Sequence, residues 1–290
     1  MSLRLIEHPG PVLEARATRA DGWLEKARFE LEPGLTLLDA LAVRLQSHSA
    51  RSATLALRGG AFGKLAYVMP ATSSSPDHAV YFSGRHDPPG VATLQEGCVT
   101  YGIRDDGPWL HCHAAWTTAD GKPGCGHILP DQSVIAEPIQ AEAWLMRGVE
   151  FRVAPDPETN FSLFQPFSRP VVRPPDARPA FALRLAPNQD LCTALEAECE
   201  SRGIREAALC AGVGSLVGAV FDDGRVVEPH ITEVYVRRGR IAADANGRLK
   251  ADVDIRMVDH TGRISEGRLR RGSNAVLVTF ELLVEPLSSR

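Results

Sequence analysis

The sequence predicts an α+β fold built as two tandem copies of one unit, each a helix followed by strands. Three observations predict it. At 290 residues the chain is about twice the roughly 150-residue unit that one hydrophobic core usually serves. An apolar pattern recurs 154 positions later: Leu31, Pro33, Leu37, Ala40, Leu41, Arg51, Ala53, Leu55 and Gly60 coincide with Leu185, Pro187, Leu191, Ala194, Leu195, Arg205, Ala207, Leu209 and Gly214. Between the copies, seven of the 21 prolines fall within 155–179, a stretch too kinked for a helix or a central strand. The domains are accordingly expected at 1–150 and 181–290, with 151–180 as a proline-rich linker.

In each copy the helix comes first. Thr36 can cap 37–46, with Asp39 in the capping-box position and Leu37, Leu38, Leu41 and Leu45 on one face; Asp190 can cap 191–202, which Gly203 ends. Apolar runs with glycine turns follow, TLALRGGAFG and AALCAGVGSLVG, then strand-like segments with turns at Asp120-Gly121, Asp222-Asp223-Gly224 and Asn246-Gly247. GVGSLVG is not read as a phosphate loop, because its third glycine is one place late and a strand follows it. Later the offset between copies shrinks to 141, where Gly121 meets Gly262 and Gly126 meets Gly267. The first copy therefore carries 13 extra residues, assigned to HAVYFSGRHDPPG at 78–90.

Composition excludes several classes. Apolar residues at 44% and charged residues at 23% describe a folded globular chain. No apolar run approaches the roughly 18 residues that span a bilayer, and Glu7 and Pro9 interrupt the start, so neither secretion nor membrane insertion is expected. The six cysteines form no CxxC pair, which fits reduced thiols and a cytoplasmic protein. A net charge of −4 gives no global field for a polyanion.

The chemistry concentrates in LHCHAAWTTADGKPGCGH, residues 110–127. If 110–116 is a strand, side-chain alternation puts His111 and His113 on one face. The Asp120-Gly121 turn can return the chain, and Gly126 leaves room for close backbone approach beside His127. Three neutral imidazoles are a zinc set that leaves a fourth position for water or substrate. Alternatives are three polar residues bonded to backbone or water, and a structural CysHis3 site using Cys125. In the second copy the three histidines become Asp252, Asp254 and Arg268, an ion-pair cluster in place of a metal site.

Taken together, the capped helix, the strand ending in Gly, His111-Cys112-His113, Asp120-Gly121 and Cys125-Gly126-His127 resemble the PPC (DUF296) domain family, with Cys125 replacing one glycine of its G-G-H motif. The resemblance covers 31–145 and, more weakly through GVGSL and VLVTFELLVEP, 181–287. It implies tandem PPC-like domains, each with a largely antiparallel or mixed sheet and one main helix, metal at His111, His113 and His127, and oligomers, since single-domain members form trimers. Family members often carry a provisional DNA-binding label, because plant relatives join the domain to AT-hooks. This chain has no Arg-Gly-Arg-Pro hook.

Two functions compete. One is a zinc-binding small-molecule binder or metal-dependent enzyme, its partner a small ligand such as a carboxylate. Arg85 could hold that carboxylate, His86 could move a proton, and Glu96, which matches Glu233, could orient a ligand or act as a base. The other is DNA binding through Arg237, Arg238, Arg240, Arg268, Arg270 and Arg271. Residues 181–290 hold 15 basic and 16 acidic residues, however, which favours a salt-bridged face. A purely structural second copy, completing a pseudo-symmetric assembly or a homo-oligomer, is a third reading.

Overall fold

The computed structural model describes residues 3–287, so the outermost residues of the expected 1–150 and 181–290 units lie outside the described residues. In the first half, β1 (Ala17–Leu31) and α1 (Leu37–Ser47) precede β2 (Ala53–Arg58), β3 (Ala61–Lys64), β4 (Tyr67–Val68), β5 (Pro70–Thr72) and β6 (Val80–Phe82). There follow β7 (Ala92–Arg104), β8 (Gly107–Thr117), β9 (Pro123–Ile128), β10 (Val134–Glu137) and β11 (Ile139–Arg147). Next come β12 (Val149–Pro155) and β13 (Ser162–Ser168). The second half runs β14 (Arg178–Leu185), α2 (Leu191–Ser201), β15 (Glu206–Leu216), β16 (Ala219–Val220), β17 (Val226–Val227), β18 (Thr232–Ala243), β19 (Leu249–Asp259), β20 (Ile264–Arg268) and β21 (Val276–Pro286).

Both helices start where the caps require. The Thr36 hydroxyl accepts from Asp39 N at 3.1 Å, and the Asp190 carboxylate accepts from Thr193 N at 2.9 Å. Each buries its leucine face against its own half: Leu37, Leu41 and Leu45 in one core, Leu191 and Leu195 in the other. The pairing order is the same in both halves. In the first, β1 pairs β11, then β2, β7, β8 and β9 in succession. In the second, β14 pairs β21, then β15, β18, β19 and β20. All of these pairings are antiparallel. The α+β expectation is therefore met only coarsely: the molecule is mostly antiparallel sheet with two helices among the described residues. None of those helices is long and apolar enough to cross a membrane.

Two features join the halves. The start of β1, Ala17–Leu24, pairs with β14 of the second half, while Trp23–Leu31 pairs with β11 of the first. In addition, β7–β9 face β15, β18 and β19 across a shared apolar layer that includes Cys98, Ala115, Cys125, Val213, Tyr235 and Val258. Residues 151–180, expected as a linker, hold most of β12 and all of β13, which pair antiparallel from Val149↔Ser168 to Pro155↔Ser162. Pro166 is tolerated because, among the described residues, the ladder of β13 is with β12, which leaves its other edge without a demand for donors. The turn between them is anchored from two parts of the chain: Asp156 accepts from Thr159 N within the turn and from Arg184 Nη2 of the second half at 2.9 and 2.8 Å, and Glu158 takes a two-pronged bond from Arg16, just ahead of β1.

Candidate metal centre

The three histidines are placed by the β7–β8–β9 meander. His111 pairs across from Thr100, His113 from Cys98, and His127 lies directly opposite His113. Alternation along β8 does send His111 and His113 to one face, while Leu110, Cys112 and Ala114 enter the core of the first half. Gly126 is needed beside His127. A Cβ there would stand 2.8 Å from Val68 O, so a larger residue would push β9 away from β4.

The imidazoles converge. His113 Nε2 lies 3.0 Å from His111 Nε2 and 3.3 Å from His127 Nδ1. A fourth group arrives from the second half: Glu233, on β18, puts a carboxylate oxygen 2.7 Å from His113 Nε2. One ligand atom from each of these four residues lies within 4.8 Å of all the others. The ring nitrogens turned away from the cluster are also held. His113 Nδ1 donates to Val234 O at 2.9 Å, and His111 Nδ1 lies 2.9 Å from Glu281, whose side chain is 1% exposed.

This donor set fits a divalent cation. His113 Nε2 faces two imidazole nitrogens and a carboxylate at once, and a single N–H cannot serve three acceptors, whereas one cation can. Nitrogens on a tetrahedral zinc with bonds of about 2.0–2.1 Å stand about 3.3 Å apart, close to the spacing observed. Outer partners such as Val234 O and Glu281 set which imidazole nitrogen is free to ligate.

Electrostatics separate the members. Burial, reinforced by the charge of His113, lowers His111 to about 3. Burial and the neighbouring His111 and His113 hold His127 well below the ordinary range. For His113 burial also acts downward, but Glu233, the Val234 carbonyl and Glu281 outweigh it and raise its pKa. Burial pushes Glu281 up to about 8 against the Thr100 hydrogen bond and the charges of His113 and Arg184. Although His111 and Glu281 stand at salt-bridge distance, burial disfavours the charged form of both. Of the three imidazoles, His113 is the one whose protonated form the surroundings favour, chiefly through the Glu233 carboxylate 2.7 Å away.

The other residues singled out in the sequence lie elsewhere. Arg85 turns outward to Asp87 and Gln132. His86 stacks on Tyr67 at 5.0 Å and bonds Ser83 Oγ, away from the histidines. Glu96 faces the second half but meets Arg237 at 2.9 Å, Arg256 at 3.2 Å and the Tyr235 hydroxyl at 3.1 Å. Cys125 packs in the layer between the halves, where burial pushes its thiol up to about 12, and it is not one of the four converging groups. Arg268 pairs with Asp252 and Asp222, while Asp254 pairs with Arg237. Of the six arginines considered for DNA, Arg237, Arg240, Arg268 and Arg271 are held by carboxylates.

Glu233 was legible only as the match of Glu96. Its position at the histidines depends on how the two halves pack, and no spacing within one copy encodes that.

No protein-family model and no curated protein matches this chain. Among solved structures it is similar to a plant- and prokaryote-conserved (PPC) protein from Pyrococcus horikoshii, at 12% identity and a TM-score of 0.41, over 50% of this chain and 94% of that one. A metal-containing protein from Archaeoglobus fulgidus aligns at 14% identity and 0.40, over 56% and 99%. A protein from Ralstonia eutropha JMP134 with a provisional DNA-binding description aligns at 14% and 0.39, over 49% and 94%. Each of these structures, the PPC protein among them, is matched over about half of this chain and nearly all of its own length.

Proposed function

We propose that His111, His113 and His127 hold one divalent metal, zinc by the chemistry of the donor set, and that the protein uses it to bind or transform a small molecule. The observation that supports this reading is the convergence of three acceptors on His113 Nε2. Bound zinc with an open position supplies Lewis-acid polarisation of an oxygen on whatever enters. Around it, Glu281 and Val234 O orient two of the imidazoles, and the Glu233 carboxylate can take a proton from a molecule on the same face. A cavity opens directly on His111, His127 and Glu233, which gives such a molecule a way in.

Metal analysis tests the proposal. Protein purified with zinc present should carry about one equivalent per chain, His113→Ala should carry background levels only, and Glu233→Gln should retain metal with lower affinity. Wild-type protein without bound metal, or His113→Ala with undiminished metal, refutes it.

A further inference from the structure

The cavity beside the histidines has two unlike ends. At its inner end stand His111, His127 and Glu233. Its walls are aromatic: Tyr81 and Phe82 come from β6, inside the 13 residues that only the first half carries, Trp109 from β8, and Phe161 and Phe164 from the β12–β13 hairpin. The rings meet both edge-on and stacked. Phe82 lies 6.0 Å from Phe161 at 76° and 5.2 Å from the His127 ring, and Tyr81 stacks on Phe161 at 5.8 Å. Such edges and faces suit a flat guest. Arg104, the one arginine on the lining, sits over Trp109 at 5.0 Å, and the chain from His111 back to Gly107 rises about 3.4 Å per residue, which puts Arg104 at the far end from the histidines.

Size narrows the guest further. The cavity measures about 170 Å³. A cavity of about 150 Å³ lined by aliphatic and aromatic side chains takes one benzene. The head group rests on the metal reading above: an open position on a divalent cation would accept a carboxylate oxygen, whereas without the cation the carboxyl groups of Glu233 and Glu281 on the lining offer an anion nothing to bind.

We infer that the cavity takes a compact single-ring aromatic carboxylate, its carboxylate toward the histidine cluster and its ring among Phe82, Trp109 and Phe161. The 78–90 insertion then sets specificity through Tyr81 and Phe82, in place of Arg85 and His86.

Calorimetry on the full chain with four probes tests this. Zinc-loaded protein should bind benzoate at least about tenfold more tightly than acetate, which leaves the ring site unfilled, and more tightly than 2-naphthoate, which exceeds it. Zinc-free protein should lose benzoate but keep toluene. Phe82→Ala should weaken benzoate and toluene about tenfold while zinc affinity stays within about threefold. Phe82 is 36% exposed, so its truncation leaves the cores intact. Ser162→Trp, which fills the rim from β13, should have the same effect.

Benzoate no tighter than acetate, or indifference to both variants, overturns the inference. Toluene failing to bind while zinc binds removes the ring site alone. Toluene binding without any zinc binding removes the metal reading, and the carboxylate assignment with it.

Discussion

Replacing Asp156 by Asn tests whether the segment between the halves is structural. Asp156 and Arg184 meet at 2.8 Å with side chains 1% and 2% exposed. Asn keeps an oxygen for Thr159 N, so the turn survives and only the charge is lost. Arg184 then stays in the interior without its counter-charge. Burial already lowers its pKa, and Asp156 is the first group opposing that shift. Breaking such a buried pair from one side costs about 3–5 kcal/mol, a large share of the roughly 5–15 kcal/mol that stabilises a folded chain. Adding Arg184→Met should recover about 1–4 kcal/mol, because a pair replaced on both sides by groups of similar volume is often neutral. Urea unfolding followed by circular dichroism measures both variants. If Asp156→Asn lies within about 0.5 kcal/mol of the parent, or if the double variant is no more stable than the single one, residues 151–168 hang on the molecule as a linker and the structural role fails.

Three further outcomes follow from the site. Gly126→Ala should destabilise by about 1–3 kcal/mol and weaken zinc, because its Cβ would meet Val68 O at 2.8 Å, whereas Gly84→Ala, with nothing within 4 Å, should change neither; equal melting temperatures for the two would refute the close approach. Zinc affinity should rise with pH, since the metal takes an unprotonated imidazole and, despite burial, Glu233 raises the pKa of His113. Calorimetry in two buffers at pH 5 should detect proton release on zinc binding, and no release would refute the raised pKa of His113. Glu96→Gln should leave zinc binding unchanged and cost about 1–3 kcal/mol by loosening Arg237 and Arg256, and a loss of zinc instead would return Glu96 to the site.

What the sequence made legible was local. The Thr36 and Asp190 caps, the HxH alternation and the duplication each depend on neighbours a few residues apart or on self-comparison, and such patterns survive whatever the tertiary packing does. Glu233 and Glu96 show the limit. Aligned with each other in the sequence, they are not equivalent in the ladders, where Glu233 stands opposite Val258 as Thr93 does opposite Thr117; Glu233 reaches the histidines and Glu96 an arginine cluster because the opposing half presents imidazoles to one and guanidiniums to the other. Arg85 and His86 were singled out for their chemistry, but their orientation depends on Asp87 and Tyr67, which hold them outward. The apolar neighbours Val80, Tyr81 and Phe82 in the same insertion face the cavity. Proline content misjudged 151–180 because a strand paired on one side tolerates missing donors, and the Asp156 and Glu158 anchors that fix the segment are long-range.

The shared first strand has a consequence for biosynthesis. Residues 17–24 leave the ribosome early, but their ladder partner is 178–185. At synthesis rates of about 5–20 residues per second, that stretch waits on the order of 10–30 s with its backbone donors and acceptors facing water. An open strand edge is a template for other chains in the meantime. Ribosome-stalled chains ending before residue 178 should therefore be more prone to aggregation and to chaperone capture than chains carried past 185, and a version of the first half made alone should require a substitute partner for that edge.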